Sequence, residues 1–270
     1  MPELSELTDL IELIEPIELT EPTSRWSAMT DQRMDGRRIL VTGGSSGIGR
    51  ATAAAIAAAG GRVALLARRA EPLERVAAKL DAVAVPADVV DPAATRVAVT
   101  SAAEQLGGLD GLVNAAGVVR PGLIADADPA DWQLMFDVNV RGLLHASQAA
   151  IPALRAAEYG DVVNISSMSG RRLGSVSMAA YAASKAAVHT ISEGLRRELA
   201  DDRIRVSCLA PGIVATPFLD EIDDPAAASL RDRANEAGLS AEQVADRIVD
   251  VLASPPGLVH VEVAMISIDQ

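Results

Sequence analysis

From residue 37 onward, short apolar runs alternate with longer segments in which apolar residues recur at three- and four-residue steps. Short runs of this kind are typical of buried strands, and the longer segments are typical of helices that cross back over a sheet. The alternation predicts an α/β fold in one domain, a doubly wound parallel sheet of about seven strands with helices on both faces. The predicted strands are Arg38–Thr42, Arg62–Leu66, Ala82–Pro86, Gly111–Asn114, Asp161–Ser166, Arg203–Leu209 and Leu258–Met265. The predicted helices are Ile48–Ala59, Ala70–Leu80, Pro92–Leu106, Trp132–Glu158, Ala179–Ala200 and Ser240–Ala253.

Residues 1–35 have a different character, with nine acidic side chains against two arginines. Apolar residues recur at helical spacing between the acids, which predicts a short amphipathic helix that Pro16 interrupts. These apolar residues are Leu4, Leu7, Leu10, Ile11 and Ile14. We interpret the segment as a mobile acidic extension, or as residues ahead of a start at Met29 or Met34, with residues 36–270 as the folded domain.

Composition narrows the classes of function. The 270 residues carry a formal net charge of −13, and aromatic residues make up 2%. A field of that sign repels phosphate backbones and anionic membranes, and few rings are present to stack on bases, so no nucleic-acid partner is expected. No apolar run approaches the roughly 18 residues of a membrane span, and Cys208 is the only cysteine. These features predict a cytoplasmic protein without a disulfide or a membrane anchor.

Glycines cluster between the first predicted strand and the first predicted helix. In dinucleotide-binding folds one glycine permits a sharp turn, a second lets a pyrophosphate reach main-chain N–H groups, and a third lets helix and strand pack closely. Gly43, Gly47 and Gly49 suit these three tasks, and the helix N-terminus then faces the anion. The loop predicts a dinucleotide site that needs no basic surface. Its predicted cofactor-binding residues are Gly43, Ser45, Ser46, Gly47, Ile48 and Gly49.

The glycine spacing G-x-x-x-G-x-G is one of several motifs that occur in order along residues 36–270. The others are Asn114-Ala115-Ala116-Gly117, Asn139, Ser166-Ser167, Tyr181-x-x-x-Lys185 and Pro211-Gly212. With these motifs the sequence resembles the short-chain dehydrogenase/reductase family. The resemblance implies a single Rossmann-type domain, a nicotinamide cofactor, and hydride transfer between that cofactor and a secondary alcohol or ketone.

Tyr181 and Lys185 are four positions apart and share one face of the predicted helix. A nearby ammonium and a positive nicotinamide ring are expected to lower the pKa of the phenol toward the working range. The resemblance implies that Tyr181 is the general acid-base, that Lys185 also binds the nicotinamide ribose, and that Ser167 holds the substrate oxygen. It implies that Asn139 kinks its helix and positions a water that connects Lys185 to solvent. Ser167 precedes Tyr181 by 14 positions, one more than is commonest in the family, so Ser169 stays an alternative to Ser167.

Cofactor choice is predicted from the end of the second strand, where an acid would bind the ribose 2′-hydroxyl and repel a 2′-phosphate. Here Arg68 and Arg69 follow Ala67 without a carboxylate, and Arg68 is suited to a phosphate, which favours NADP(H) over NAD(H). The alternative is that both arginines only solubilise the loop.

By the resemblance, the other cofactor contacts are Asp88 and Val89 at the adenine, Asn114, Ala115 and Gly117 on the adenosine side, and Pro211, Gly212, Ile213 and Thr216 at the nicotinamide carboxamide.

The walls of the substrate site are expected in Ser169–Ala180 and in Phe218–Leu239, whose acidic composition indicates a mobile lid. Arg171 and Arg172 near the cleft mouth either attract a carboxylate or phosphoryl substrate or balance nearby acids. The chain lacks the Asp-Gly-Gly ending common in the family, and in this it is similar to the branch with NADP-dependent serine, 3-hydroxy acid and clavulanic acid dehydrogenases. That branch implies a small polar alcohol or ketone and a homo-oligomer, either a tetramer or a dimer.

His145, His189 and His260 have no cluster of Cys, Asp or Glu at ligand spacing, so no metal site is predicted. The leading hypothesis is an NADP(H)-dependent oxidoreductase in which Tyr181 exchanges the hydroxyl proton. The alternative is a dinucleotide-binding regulatory or scaffold protein whose acidic extension recruits a partner. The Ser/Tyr/Lys/Asn set favours the enzyme, because a binding protein has no need of a tuned phenol.

Overall fold

A computed structural model of the chain describes residues 34–219 and 225–270. The strands in these residues are β1 (Arg38–Thr42), β2 (Arg62–Ala67), β3 (Val83–Pro86), β4 (Gly111–Asn114), β5 (Gly160–Ile165), β6 (Ile204–Pro211), β7 (Val214–Ala215), β8 (Leu239–Ser240) and β9 (Glu262–Met265). The α-helices are α1 (Gly47–Ala58), α2 (Ala70–Leu80), α3 (Pro92–Leu106), α4 (Pro129–Phe136), α5 (Leu143–Arg155), α6 (Ala179–Glu198), α7 (Pro225–Ala237) and α8 (Ala241–Leu252). A π-helical turn joins α4 to α5, and 3₁₀ turns cover Met168–Gly170, Val176–Met178 and Pro217–Leu219. None of the described helices is long and apolar enough to cross a membrane.

The main sheet has seven strands in the order β3-β2-β1-β4-β5-β6-β9, and every neighbouring pair is parallel. The chain builds outward from β1, first toward β3 and then, starting at β4, toward β9. The order therefore reverses between β1 and β4. Ligands of open α/β sheets bind in the crevice at the carboxyl ends of the strands at such a point, which directs attention to the loops that follow β1 and β4.

Both faces of this sheet are buried. Alternate residues of a strand point to opposite faces, and in β1 the side chains of Ile39 and Val41 join one apolar cluster whereas Leu40 joins the other. Helices α1 and α8 pack together over the first face, and α3 and α5 pack over the second. β1 is accordingly buried at every position after Arg38, with the apolar run Ile39-Leu40-Val41 ahead of Thr42, as expected for a parallel sheet covered on both sides.

The predicted Rossmann-type fold is confirmed, since each of the seven predicted strands overlaps a strand of the main sheet. Three details differ. The predicted helix Trp132–Glu158 is divided by the π-helical turn, the last strand begins at Glu262 rather than Leu258, and the predicted lid contains an α-helix, α7. The β7–β8 pair was not predicted, because strands of two residues leave no periodic signal. The acidic residues at 220–224 and the predicted N-terminal helix in residues 1–33 lie outside the described residues.

An ion cluster fastens the amino ends of the strands, opposite the crevice. Asp161, near the start of β5, is 2% exposed. It accepts hydrogen bonds from Arg37 Nη2 at 2.7 Å and from Arg205 Nε and Nη2, both at 2.8 Å. Two guanidinium groups on one buried carboxylate compensate the cost of removing it from water. This cluster therefore stabilises the fold at a distance from the candidate site.

Candidate active site

The glycine loop turns at the crevice between β1 and α1. Gly43 has a φ of +69°, and a Cβ there would lie 2.9 Å from the backbone of Ala116. Gly47 has a φ of +51°, and a Cβ at Gly49 would lie 2.4 Å from the carbonyl oxygen of Gly43. Positive φ and such close approaches exclude larger residues. The loop and the first turn of α1 therefore lie directly on the strand ends, with unpaired main-chain N–H groups at the helix N-terminus, an arrangement suited to a phosphate.

A buried polar network holds the end of β4. Asn114 Nδ2 donates to Ser147 Oγ at 3.0 Å and to Asn164 Oδ1 at 2.9 Å. Asn164 Nδ2 in turn donates to Ser192 Oγ at 3.0 Å. Asn114 is 3% exposed, and both N–H groups of its side-chain amide donate to these partners, so it lies behind the cavity wall. Asn114 thus connects β4 with α5 and β5, and its place on the adenosine side of a bound cofactor stays a prediction.

Ser167 and Tyr181 meet on one wall of the crevice. The Ser167 hydroxyl lies close enough to the Tyr181 side chain to oppose the rise of the phenol pKa, and Ser167 Oγ accepts from the backbone N–H of Ser169 at 3.1 Å. Ser167 is the N-cap of the 3₁₀ turn Met168–Gly170, with an extended backbone that turns its hydroxyl toward that turn. Of the two serines considered from the sequence, Ser167 is the one beside the phenol.

Lys185 lies one helical turn after Tyr181 and is fixed against β5. Its Nζ donates to the carbonyl oxygen of Ile165 at 2.9 Å, and Ser166 Oγ donates to the Lys185 carbonyl at 2.8 Å. A Cβ at Gly170 would lie 2.7 Å from the Lys185 carbonyl carbon, so the 3₁₀ turn packs directly on the backbone of α6. The lysine is thereby placed by the end of β5 as well as by its own helix.

Burial sets the protonation state of both groups. Tyr181 is 7% exposed, and burial raises the pKa of its phenol to about 12, against the opposing effect of the Ser167 hydrogen bond. Lys185 is 4% exposed, and burial lowers the pKa of its ammonium to about 8. The expected lowering of the Tyr181 pKa by Lys185 is not found within the chain, because the ammonium points at Ile165 and lies 5.9 Å from the ring centre. The phenol is therefore protonated at neutral pH.

Asn139 lies in the π-helical turn Asp137–Gly142, the local distortion expected there from the sequence. Its Oδ1 accepts from the Val118 N–H at 2.8 Å, and its Nδ2 donates to the Val118 carbonyl at 2.9 Å and to Ser184 Oγ at 3.0 Å. All of these groups are close to Gly117, where a Cβ would lie 3.3 Å from Asn139 Oδ1 and 3.5 Å from Lys185 Nζ. Asn139 therefore joins the loop after β4 to α6 beside the lysine.

Arg68 follows β2 directly, at the predicted adenosine end. Its Nη1 lies 3.9 Å from Asp88 Oδ2, and the two side chains are 58% and 41% exposed. Asp88 Oδ1 also accepts from the Val90 N–H at 3.0 Å. The side chain of Val89 packs in the apolar cluster under α3 and α5, and the adenine contact expected at this residue stays a prediction. Both charged groups at this end are open to a ligand.

The segment after β6 forms the opposite wall. A Cβ at Gly47 would lie 3.5 Å from Thr216 Cβ, so Thr216 reaches across to the glycine loop. The main chain of Ile213 binds an amide. Its N–H donates to Gln270 Oε1 at 2.8 Å, and its carbonyl oxygen accepts from Gln270 Nε2 at 2.8 Å.

These elements enclose a cavity of about 420 Å³. The predicted site residues that line it are Gly43, Ser46, Gly47, Ile48, Gly49, Ala115, Gly117, Ser167, Tyr181, Lys185, Pro211, Gly212, Ile213 and Thr216. The predicted site residues outside its lining are Ser45, Arg68, Asp88, Val89, Asn114 and Asn139. Ser45 instead lines a separate groove with Arg50 on α1. The structure thus brings the predicted proton-transfer residues and most of the predicted cofactor residues to one cavity.

Comparison with known proteins decides the family. The short chain dehydrogenase family matches residues 37–227. This chain belongs to that family. An uncharacterized oxidoreductase of Staphylococcus aureus (strain USA300) is 36% identical over 232 residues, which are 85% of this chain and 95% of the relative. A second, from Staphylococcus haemolyticus, is 34% identical over 238 residues, 87% of this chain and 97% of that one.

Solved structures of short chain dehydrogenases share the architecture. One from Burkholderia cenocepacia J2315, in complex with NADP, is 37% identical with a TM-score of 0.78, and the match covers 87% of this chain and 98% of that one. The closed form of a serine dehydrogenase complexed with NADP+ is 28% identical with a TM-score of 0.80, covering 86% of this chain and 95% of that one. The chain is accordingly an NAD(P)-dependent oxidoreductase.

The residues of this short chain dehydrogenase fit a nicotinamide dinucleotide. A Cβ at Gly43 or Gly49 would fill the space over the strand ends, and the adjoining first turn of α1 offers N–H donors to a pyrophosphate. Among the described residues, no Asp or Glu side chain lines the cavity. Within the described part of the chain, no group of three His, Cys, Asp or Glu side chains is placed to hold a metal ion.

The substrate end of this short chain dehydrogenase was predicted only in outline. Both expected segments contribute to the cavity, with Arg172, Gly174, Ser175 and Met178 from the first and Phe218 and Arg233 from the second. Arg171 does not, because its Nε lies 2.9 Å from Glu262 Oε1. Sequence reasoning missed Val119, Ile266 and Gln270, which also line the cavity. They come from the loop after β4 and the segment after β9, where no motif or periodicity indicates a site.

Proposed function

We propose that this enzyme transfers hydride between NADP(H) and a secondary alcohol or ketone, with Tyr181 as the general acid-base. The observation that carries the proposal is that Ser167, Tyr181 and Lys185 line the same cavity as the glycine loop. The bound nicotinamide supplies the hydride in reduction and accepts it in oxidation. Binding and orienting the substrate, and moving its proton, are tasks of the chain's own side chains.

Tyr181 and Ser167 present two adjacent hydroxyl groups to a substrate oxygen. Because burial keeps the phenol protonated at neutral pH, Tyr181 is suited to donate its proton to the oxygen as a carbonyl is reduced. The Ser167 hydroxyl, held through its backbone turn, donates a hydrogen bond to the same oxygen and fixes its position. In the oxidation of an alcohol the proton moves in the opposite direction, to the phenolate.

Lys185 and Asn139 support this proton transfer. The ammonium of Lys185 stabilises the phenolate that remains after proton donation, and its other N–H groups are available to the ribose hydroxyls of the cofactor. Asn139 spends its side-chain amide on Val118 and Ser184, so it holds the loop after β4 against the helix that carries both Tyr181 and Lys185. Loss of Asn139 would therefore loosen the position of both groups.

The preference for NADP(H) rests on Arg68. No acid follows β2 to bind a 2′-hydroxyl, and Arg68 is 58% exposed beside Asp88, so its guanidinium is accessible to a 2′-phosphate. That two solved relatives are complexes with NADP and NADP+ supports the same preference. The likeness to a serine dehydrogenase supports a small polar substrate.

We also propose that residues 36–270 are the catalytic domain and residues 1–35 an extension to it, since the family match begins at residue 37. Exposed Phe136 and Leu144, on the adjoining helices α4 and α5, support a homo-oligomer, because apolar side chains on neighbouring helices favour a subunit contact. The single cysteine, which is buried and free, supports a reducing compartment such as the cytoplasm.

Replacing Tyr181 with Phe tests the proton-transfer role. The substitution keeps the ring and removes the hydroxyl, so the rate of ketone reduction should fall by about 10²–10⁴-fold, while the Kd for NADPH stays nearly unchanged. Turnover is followed by NADPH absorbance and binding by NADPH fluorescence. Tyr159→Phe removes the hydroxyl of the only other tyrosine, which does not line the cavity, and should leave both quantities unchanged. Turnover retained in Tyr181→Phe would remove the phenol from the mechanism.

Lys185 is expected to limit reduction at high pH. Its pKa of about 8 means that the ammonium is present below that pH and lost above it, whereas Tyr181, with a pKa of about 12, stays protonated. The rate at saturating NADPH and ketone should therefore fall as the pH rises through about 8. In Lys185→Arg the side chain stays charged over this range, so any remaining activity should lose this pH dependence. A wild-type rate that is level well above the Lys185 pKa would contradict the role of the ammonium.

Cofactor preference is tested at Arg68. In Arg68→Gln the charge-assisted hydrogen bonds to a 2′-phosphate are lost, so kcat/KM for NADPH should fall by about tenfold or more, while kcat/KM for NADH changes little. Arg96→Gln, at an exposed position on α3, makes the same change in net charge and should alter neither value. Equal losses with both cofactors in Arg68→Gln would assign the arginine to the loop structure instead.

A further inference from the structure

The charge of the cavity is opposite to the charge of the protein. The chain carries 37 acidic residues against 24 lysines and arginines, yet among the described residues the charged side chains that line the cavity are Lys185, Arg172 and Arg233. Lys185 belongs to the proposed proton transfer, and its Nζ donates to the Ile165 carbonyl. The other two cations have no part in the mechanism described above.

Arg172 and Arg233 also differ from the arginine beside them and from most of the described arginines. Within residues 34–219 and 225–270, neither makes an ion pair, whereas Arg171, beside Arg172, is bound to Glu262. Pairing with an acid is the common arrangement elsewhere in the described chain. Examples are Arg75 with Glu71, Arg155 with Asp202 and Arg247 with Asp250. In a protein with an excess of acids, two arginines that face one cavity without a carboxylate partner indicate that the partner is a ligand.

The two arginines come from different elements. Arg172 lies in the loop after the 3₁₀ turn that begins next to Ser167, and Arg233 lies on α7. Apolar side chains, among them Met178 and Phe218, line the cavity with them. A guanidinium from each of two elements can hold both oxygens of a carboxylate, while the apolar groups contact the carbon chain.

We infer that Arg172 and Arg233 form an anion subsite and that the substrate is an oxo acid or its hydroxy acid, with the carboxylate on these arginines and the carbonyl at Tyr181 and Ser167. The inference rests on the proposed function. It narrows the substrate from any secondary alcohol or ketone to one that carries a negative charge.

The test compares short oxo acids with their methyl esters, which keep the ketone and lose the charge. In the wild type, kcat/KM should be at least about tenfold higher for an acid than for its ester. Arg172→Gln and Arg233→Gln should each reduce that ratio by about tenfold, mainly through the KM of the acid, and leave the ester unaffected. Arg171→Gln, the adjacent arginine bound to Glu262, is the matched control and should keep the wild-type ratio.

Other outcomes overturn the inference in distinguishable ways. Equal activity on acid and ester would leave the oxidoreductase proposal in place and reject the anion subsite. A weaker Kd for NADPH in the Gln variants, with an unchanged acid-to-ester ratio, would assign the arginines to the phosphates of the cofactor. Absence of turnover with acids, esters and neutral ketones alike would reject the proposed function itself, and the subsite with it.

A second inference comes from Gln270. Its side-chain amide occupies the N–H and the carbonyl of Ile213, both at 2.8 Å, and Nε2 also donates to the Ala237 carbonyl at 3.3 Å. A Cβ at Gly212 would lie 2.2 Å from Gln270 Oε1, so the amide lies directly on the backbone of Gly212 and Ile213. Gln270 and Ile266, from the segment after β9, line the cavity there.

The donor–acceptor pair of Ile213 is complementary to a primary carboxamide. Nicotinamide carries the same functional group as the glutamine side chain, and the proposed cofactor position places its carboxamide at this main-chain pair. One main-chain N–H and one carbonyl cannot serve both amides in the same geometry. We infer that Gln270 is a built-in competitor for the carboxamide subsite, and that NADP(H) displaces the segment Ile266–Gln270 when its nicotinamide binds.

Removal of the competitor should strengthen cofactor binding. In Gln270→Ala the Kd for NADPH, measured by nucleotide fluorescence, should fall by about three- to tenfold. The reason is that no glutamine amide has to leave Ile213 before the nicotinamide binds. Adenosine 2′,5′-bisphosphate has no nicotinamide, and its Kd, measured by calorimetry, should not change. Gln105→Ala, an exposed glutamine on α3, is the matched control.

Two results would contradict the proposal that Gln270 competes with the nicotinamide. An unchanged or weaker Kd for NADPH in Gln270→Ala would show that the amide supports the wall of the site rather than blocking it. Tighter binding of both NADPH and the bisphosphate would show a general effect on the cavity. The thermal midpoint of each variant, measured without ligand, distinguishes a loss of folding from either result.

Discussion

A buried ammonium is the constraint around which this active site is arranged. A charge removed from water is costly unless its hydrogen-bonding capacity is used, and Lys185 directs one of its N–H donors to the Ile165 carbonyl. The hydroxyl of Ser166 and the close packing of Gly170 hold the backbone of the same residue. These contacts come from the end of β5 and the turn that follows it. The position of the lysine therefore depends on the register of the sheet, and the phenol one turn away shares that dependence.

Polar side chains behind the cavity make this arrangement rigid. The Asn114–Asn164–Ser192 network connects β4, β5 and α6, and Asn139 joins the loop after β4 to α6. The hydrogen bonds of these buried donors restrict the geometry, since a shift of one element would leave donors of another without a partner. Tyr181 itself packs with Val119 and Met135, and this burial is why the phenol retains its proton at neutral pH.

Local fields in the cavity differ from the field of the whole protein. A formal charge of −13 opposes the approach of anions, but the cavity contains main-chain N–H groups, a lysine and two arginines, and no Asp or Glu side chain of the described residues lines it. An acidic protein thus offers an anionic ligand short-range dipoles and a few cations that its described carboxylates do not neutralise. At Ile213 the chain does supply a partner, because the Gln270 amide satisfies the main-chain N–H and carbonyl that the ligand would otherwise satisfy.

The sequence by itself determined the α/β sheet, the order of its strands along the chain, the glycine loop and the Tyr181–Lys185 pair, because each depends on local periodicity or on residues a few positions apart. Only the tertiary structure decided which residues face the cavity and which stand behind it. The side chains of Asn114 and Val89 are buried in the fold, whereas Ile266 and Gln270 carry no signal in the sequence and line the cavity. The tertiary structure also decided the direction of the Tyr181 pKa shift. Desolvation depends on how many residues distant in the sequence cover a side chain, and the spacing of residues along the chain does not show their number.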